Sequence, residues 1–147
     1  MKLCSGTLDE LIHEIGQRKI ILYGTGGFFR DYVSCSFPME WAEQVAYAID
    51  KFNYGQVVSV RGKEIAVYQV EKIKEETNCI VMLTSSTVLY EMYEQLQSLQ
   101  LGENIHCYAY PFILIKSAGK SNLEYERIIF CENGQDKIEK TIHSFWF

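Results

Sequence analysis

Four residues, Gly24-Thr25-Gly26-Gly27, separate the apolar run Lys19 to Tyr23 from an aromatic stretch that begins at Phe28. Glycine takes positive φ angles at no steric cost, and without a side chain it lets a phosphate come close to the backbone. If a helix starts at Phe28, the N–H groups of Gly26, Gly27 and Phe28 face that anion, assisted by the helix dipole. The spacing therefore predicts a cradle for the phosphates of a nucleotide or nucleotide-sugar. The full dinucleotide fingerprint has a third glycine or alanine where this chain has Phe29, and a ring there would push the helix off the sheet or force a different packing. A tight turn with no ligand accounts for the same glycines.

Asp50 closes the apolar run Gln44 to Ile49, roughly where a ribose-binding acid is expected, about 20 residues beyond the turn. A carboxylate there accepts hydrogen bonds from ribose hydroxyls; a strand-end acid facing water is the plain alternative. Thr84, Ser85 and Ser86 follow a third apolar run, Cys79 to Leu83, and would meet phosphate or sugar in the same crevice, although as helix caps they need no ligand. Arg30 and Lys51 flank that crevice, as phosphate partners or as solvated charges. Tyr68 and Lys72 have the spacing of a short-chain dehydrogenase pair but precede the strand they should follow, so they are read as coincidence. His13, His106 and His143 lie too far apart in sequence to suggest a metal site.

The elements that must position these residues alternate between strand and helix. Thr7 to Gly16 reads as a helix, with Thr7 and Glu10 as a capping box and Leu8, Leu11, Ile12 and Ile15 as its apolar stripe. Lys19 to Tyr23 suits a strand buried on both faces. A helix is expected from Phe28 to about Phe37, a strand over Gln44 to Asp50, and a short strand over Lys63 to Val67. Gln69 to Glu76 reads as a helix with Val70 and Ile73 inward and Lys72 and Glu76 paired on its surface. A strand over Cys79 to Leu83, a helix from Val88 to Leu99 capped by Thr84–Thr87 hydroxyls, and a strand over Ile105 to Tyr110 complete the series. The pattern predicts a three-layer, Rossmann-like α/β fold, its mostly parallel sheet centred on Lys19 to Tyr23 with helices on both faces.

With 147 residues and 48% hydrophobic content, the chain can close one core. A net charge of -5, with no basic stripe, argues against nucleic acid as a partner. No apolar run reaches the roughly 18 residues of a membrane span, and MKLCSGTLDE lacks the apolar block of a signal peptide. Five cysteines scattered singly fit reduced, mostly buried thiols in a cytoplasmic protein.

In its order of YGTGGFFRDYV, VAYAID, RGKEIAVYQVEKI and CIVMLTSSTVLYEMYEQLQSLQL, the chain resembles the Rossmann-like domains of bacterial surface-polysaccharide enzymes. Those include the nucleotide-sugar-binding domains of sugar O-acyltransferases and the core-like domains of polysaccharide-type epimerases and dehydratases. The likeness spans about Lys19 to Tyr110; the glycine turn lacks its last small residue and the acid is not doubled. It implies a bound nucleotide-sugar such as a UDP-sugar, or NAD(P). The closing run KIEKTIHSFWF is similar to the opening strand of glycosyltransferases with a D-x-D motif, though Glu139 stands in place of a proline and the chain contains no D-x-D. The two likenesses together imply a binding domain over 1–116, a linker over 117–136, and over 137–147 the first strand of a glycosyltransferase catalytic domain. Small NAD-dependent enzyme and structural or oligomerising domain are the competing expectations. An apolar strand with an open edge invites homodimers. Deleting residues 137–147 should therefore leave the melting temperature of the first domain nearly unchanged and reduce self-association measured by light scattering.

Overall fold

The computed structural model describes residues 1–119; the expected linker beyond Gly119, Cys131 and the closing run 137–147 lie outside them. In chain order the strands are β1 (Lys2–Cys4), β2 (Ile20–Tyr23), β3 (Val45–Ile49), β4 (Val57–Val60), β5 (Lys63–Tyr68), β6 (Cys79–Leu83) and β7 (Ile105–Ala109). The α-helices are α1 (Leu8–Ile15), α2 (Gly27–Tyr32), α3 (Met39–Ala42), α4 (Leu89–Ser98) and α5 (Tyr110–Ser117), with a 3₁₀ helix over Val70–Glu75. The strands form one seven-stranded sheet in the order β1-β7-β6-β2-β3-β5-β4. All pairings are parallel except β4 with β5. This is the expected three-layer Rossmann-like arrangement, with β2 in the middle.

Strand alternation sorts the core into two layers. Ile20 and Leu22 of β2 pack with Leu11, Ile15, Phe29, Phe37 and Trp41 from α1 to α3. Ile21 and Tyr23 pack on the opposite face with Val70 and Ile73 of the 3₁₀ helix and Leu89, Met92 and Leu96 of α4. β2 and β6 are buried at every position, which is why their sequences are continuous apolar runs. Phe29 is buried in the first layer. It belongs to the cluster that α1 and α2 cover and is not among the residues that line the cleft above the turn.

The capping box of α1 is as expected, while several other elements depart from the sequence reading. α1 has the full capping box, Thr7 accepting from the Glu10 N–H and Glu10 accepting from the Thr7 N–H. The helix after the glycine turn stops at Tyr32, not Phe37. The Ser36 hydroxyl donates to the Tyr32 carbonyl four residues back, a local alternative to the helical ladder, and the Ser34 hydroxyl donates across to the Ser59 carbonyl of β4. Segment 70–75 is a 3₁₀ helix, and Lys72 pairs with Glu75 because three residues per turn align i with i+3. Glu76 instead binds Lys19 and accepts from the Tyr47 hydroxyl. Strands β1 and β4 and helices α3 and α5 were not expected. Arg61 and Gly62 both have positive φ, the geometry of a two-residue hairpin joining β4 to β5.

Cys79 and Cys107 are buried, and burial raises both thiols, Cys79 to about 12. Cys4 is half-buried and Cys35 exposed, so two of the four described thiols are buried where most were expected to be. Among the described residues no helix is long and apolar enough to cross a membrane.

At the amino end of the sheet, Arg18 donates to the carbonyls of Cys79 and Asn104 and to Nδ1 of His106, the last at 2.8 Å. A guanidinium cannot accept, so that ring nitrogen must be unprotonated. Burial first, then the charge of Arg18, holds the pKa of His106 below its ordinary value of 6.5. A group that folding keeps neutral contributes stability that is complete above pH 6.5 and is lost as pH falls below it. Denaturant midpoints should decline from pH 7.5 to pH 5, and His106→Gln, whose amide oxygen can still accept from Arg18, should flatten that decline.

Candidate functional site

The sheet order reverses at β2: the chain runs from it to β3, β4 and β5 on one side, then crosses to its other side for β6 and β7, with the N-terminal β1 added at the outer edge of β7. Open α/β sheets bind ligands at the carboxyl ends of strands at such a point. Here those ends carry Gly24, Asp50 and Thr84, and above them lies a cleft of about 850 Å³, within the usual size of small-molecule sites.

The two ends of the glycine turn do different work. Gly24 has φ +113°, and a Cβ there would lie 3.1 Å from both the Thr84 carbonyl oxygen and the Met92 methyl. It is fixed by backbone angle and by close contact with the end of β6. A Cβ on Gly26 would meet nothing within 4 Å, and one on Gly27 would meet only the Arg30 guanidinium at 3.8 Å. These two glycines face open space in the cleft, and no side chain caps α2, whose N-cap is Gly26. Phe28, on the first turn of α2, lines the cleft and packs on Tyr32 with ring centroids 5.0 Å apart.

Asp50 is 8% exposed. Its Oδ2 accepts from the Thr25 N–H and hydroxyl, each at 2.8 Å. Its Oδ1 accepts from the N–H groups of Phe52 at 2.8 Å and Asn53 at 3.0 Å. Burial by itself would raise the carboxyl pKa, but these hydrogen bonds from Phe52, Asn53 and Thr25 outweigh it and hold it below 3.8. The four acceptor positions of the carboxylate are thus taken by protein donors. Asp50 lines the cleft as its brace, joining the glycine turn to the loop after β3.

Thr84 is 1% exposed. Its hydroxyl lies 2.9 Å from the Tyr23 carbonyl oxygen and 2.6 Å from that of Gly24, which ties β6 to the turn. The hydroxyls were expected to cap α4. Instead the N-cap is Val88 with no side-chain bond, and Ser85 accepts from the Thr87 N–H. Ser85, Ser86 and Thr87 line the cleft.

The remaining wall comes from residues that the sequence reading passed over. Glu91, Glu94, Gln95 and Ser98 of α4 face the cleft, with Met92 at the base of the same wall, a polar stripe at helical spacing beside the buried Leu89 and Leu96; that spacing was the signal available in the sequence. Tyr23 donates its hydroxyl to Gln95 at 2.8 Å, and burial, with Asp50 nearby, keeps the phenol protonated well beyond its usual range. Asp31 and Tyr32 come from α2, Phe52 and Asn53 from the loop after β3. Among the described residues Lys51 is the one basic side chain lining the cleft, against the acids Asp31, Asp50, Glu91 and Glu94. Arg30 stands at the edge beside Gly27. Tyr68 and Lys72 lie outside the cleft, the ammonium 4.9 Å from the Tyr68 ring centroid. Among the described residues no three His, Cys, Asp or Glu side chains are grouped to hold a metal ion.

Comparison with known proteins returns no matching family model, no matching curated protein and no matching solved structure. The fold and the cleft geometry are therefore the physical evidence for function.

Asp50→Asn would set an amide N–H₂ against N–H donors on one side or the other. Leaving buried donors unpaired costs about 1–3 kcal/mol each, so urea denaturation should show a loss of about 2 kcal/mol or more at pH 7. Because the folded pKa is depressed, the stability that Asp50 contributes is present above pH 3.8 and lost as pH falls below it. The difference between the variant and the wild type should accordingly shrink as pH drops under 4.

Proposed function

We propose that the cleft binds a nucleotide or nucleotide-sugar, and that this segment is a binding module with no catalytic residues of its own. The observation that carries this reading is the open space over Gly26 and Gly27 at the switch point of the sheet. Backbone without side chains, at the start of a helix and beside Arg30 and Lys51, is suited to phosphate oxygens. The carboxylates of Glu91, Glu94 and Asp31, with the hydroxyls of Ser85, Ser86 and Thr87, offer acceptors and donors for sugar hydroxyls. An excess of acids repels a second highly charged group, which favours a sugar over a second nucleotide. Asp50 is fully engaged by the protein, so it lacks the free acceptor with which the acid of a dinucleotide site holds a ribose diol. The wider setting, a bacterial glycosyltransferase of capsular or surface polysaccharide synthesis in the cytoplasm, is supported by the sequence resemblance.

Gly26→Asp tests this reading. Its Cβ enters empty space, so the melting temperature should stay within about 2 °C, while the carboxylate occupies and repels the anion position. Calorimetry with UDP, UDP-glucose and NAD should show binding to the wild type and none to the variant. Absence of binding by any of these to the wild type at millimolar concentration would replace the module reading with that of a structural domain.

A further inference from the structure

Phe52 is 80% exposed, and leaving a whole aromatic ring in water forgoes a burial gain that most such residues collect. Other large apolar side chains are also exposed among the described residues, namely Met39, Tyr54, Val57 and Tyr68, but of these five only Phe52 lines the cleft. Its position is not that of a loose loop tip. The Phe52 N–H donates to Asp50 Oδ1 at 2.8 Å while the other oxygen of the same carboxylate holds Thr25. The backbone that carries the ring is thereby locked to the backbone of the glycine turn. The Lys51 ammonium sits 5.6 Å from the ring centroid, within cation–π range, and brings positive charge to the same side of the cleft.

We propose that Phe52 is the stacking platform for the nucleobase of the ligand, a role that rests on the nucleotide reading above. An aromatic face accepts any base with little regard to its hydrogen-bonding edge, and stacking of this kind is sequence-tolerant. The cleft then recognises a nucleoside phosphate at two points held in register by one carboxylate: ring on Phe52, phosphate at Gly26 and Gly27. Selectivity between bases is correspondingly weak, and discrimination falls on the sugar attached beyond the phosphates.

The test compares wild type, Phe52→Ala and Phe52→Trp by calorimetry with UDP, AMP and a ligand that has phosphate and sugar but no base, glucose 1-phosphate. Phe52→Ala should weaken UDP and AMP by about 10-fold or more, leave glucose 1-phosphate within about twofold, and melt as the wild type does. Phe52→Trp should restore nucleotide affinity and quench its indole fluorescence on binding. Unchanged UDP and AMP affinity in Phe52→Ala overturns the platform while leaving the nucleotide reading intact. An equal loss for glucose 1-phosphate overturns it also, since the ring would then be shaping the loop and not meeting a base. A wild type that binds neither UDP nor AMP overturns both proposals together.

Discussion

One carboxylate holds the business end of this domain together. Asp50 receives two hydrogen bonds from the glycine turn and two from the loop after β3, carrying the join past the last β2–β3 ladder bond, from the Gly24 N–H to the Ile49 carbonyl. Each charge-assisted bond is stronger than its neutral counterpart, and together they offset the cost of burying the charge. Thr84 does the same on the other flank, its hydroxyl set against the carbonyls of Tyr23 and Gly24. The turn is therefore pinned on both sides of β2. A preformed concavity follows, because neither neighbouring strand end can drift across the open space over Gly26.

This bracing changes what an acid at the end of β3 means. An Asp at that place can serve a ribose or the protein, and the number of donors around it decides which. Four protein donors surround this one, and its depressed pKa records their balance against burial. On the proposed nucleotide reading, recognition passes to side chains on either side of the brace: the aromatic Phe52, the basic Lys51 and Arg30, and the polar stripe of α4. Under that proposal, the acidic lining would limit the total negative charge that a phosphate-bearing ligand could carry.

Continuous apolar runs, a capping box and a glycine pair were enough to read β2, β6, α1 and the order of the layers from the sequence, because each is a local signal or one forced by burial on both faces. Thr7 and Glu10 lie three residues apart and need only each other. Ile20 to Leu22 and Cys79 to Leu83 need only a sheet covered on both sides. The chain alone also placed Gly24 to Phe28, Asp50, Thr84, Ser85 and Ser86 together at one end of that sheet, since strand ends in a parallel array share an edge.

What they do there was decided by tertiary structure. Gly24 and Gly26 are the same residue type two positions apart, yet one lies against the Thr84 carbonyl and the other over empty space, a difference set by a strand sixty residues away. The same holds for β1, three residues long, which exists because β7 presents an unpaired edge, and for β4, whose exposed, mixed pattern acquires order only against β5. The sequence determined which elements are buried and in what order they occur, because burial and capping are properties of neighbouring residues. Only the folded chain decided which polar groups are spent on each other and which remain for a ligand, because hydrogen-bond partners from distant segments compete for the same few lone pairs.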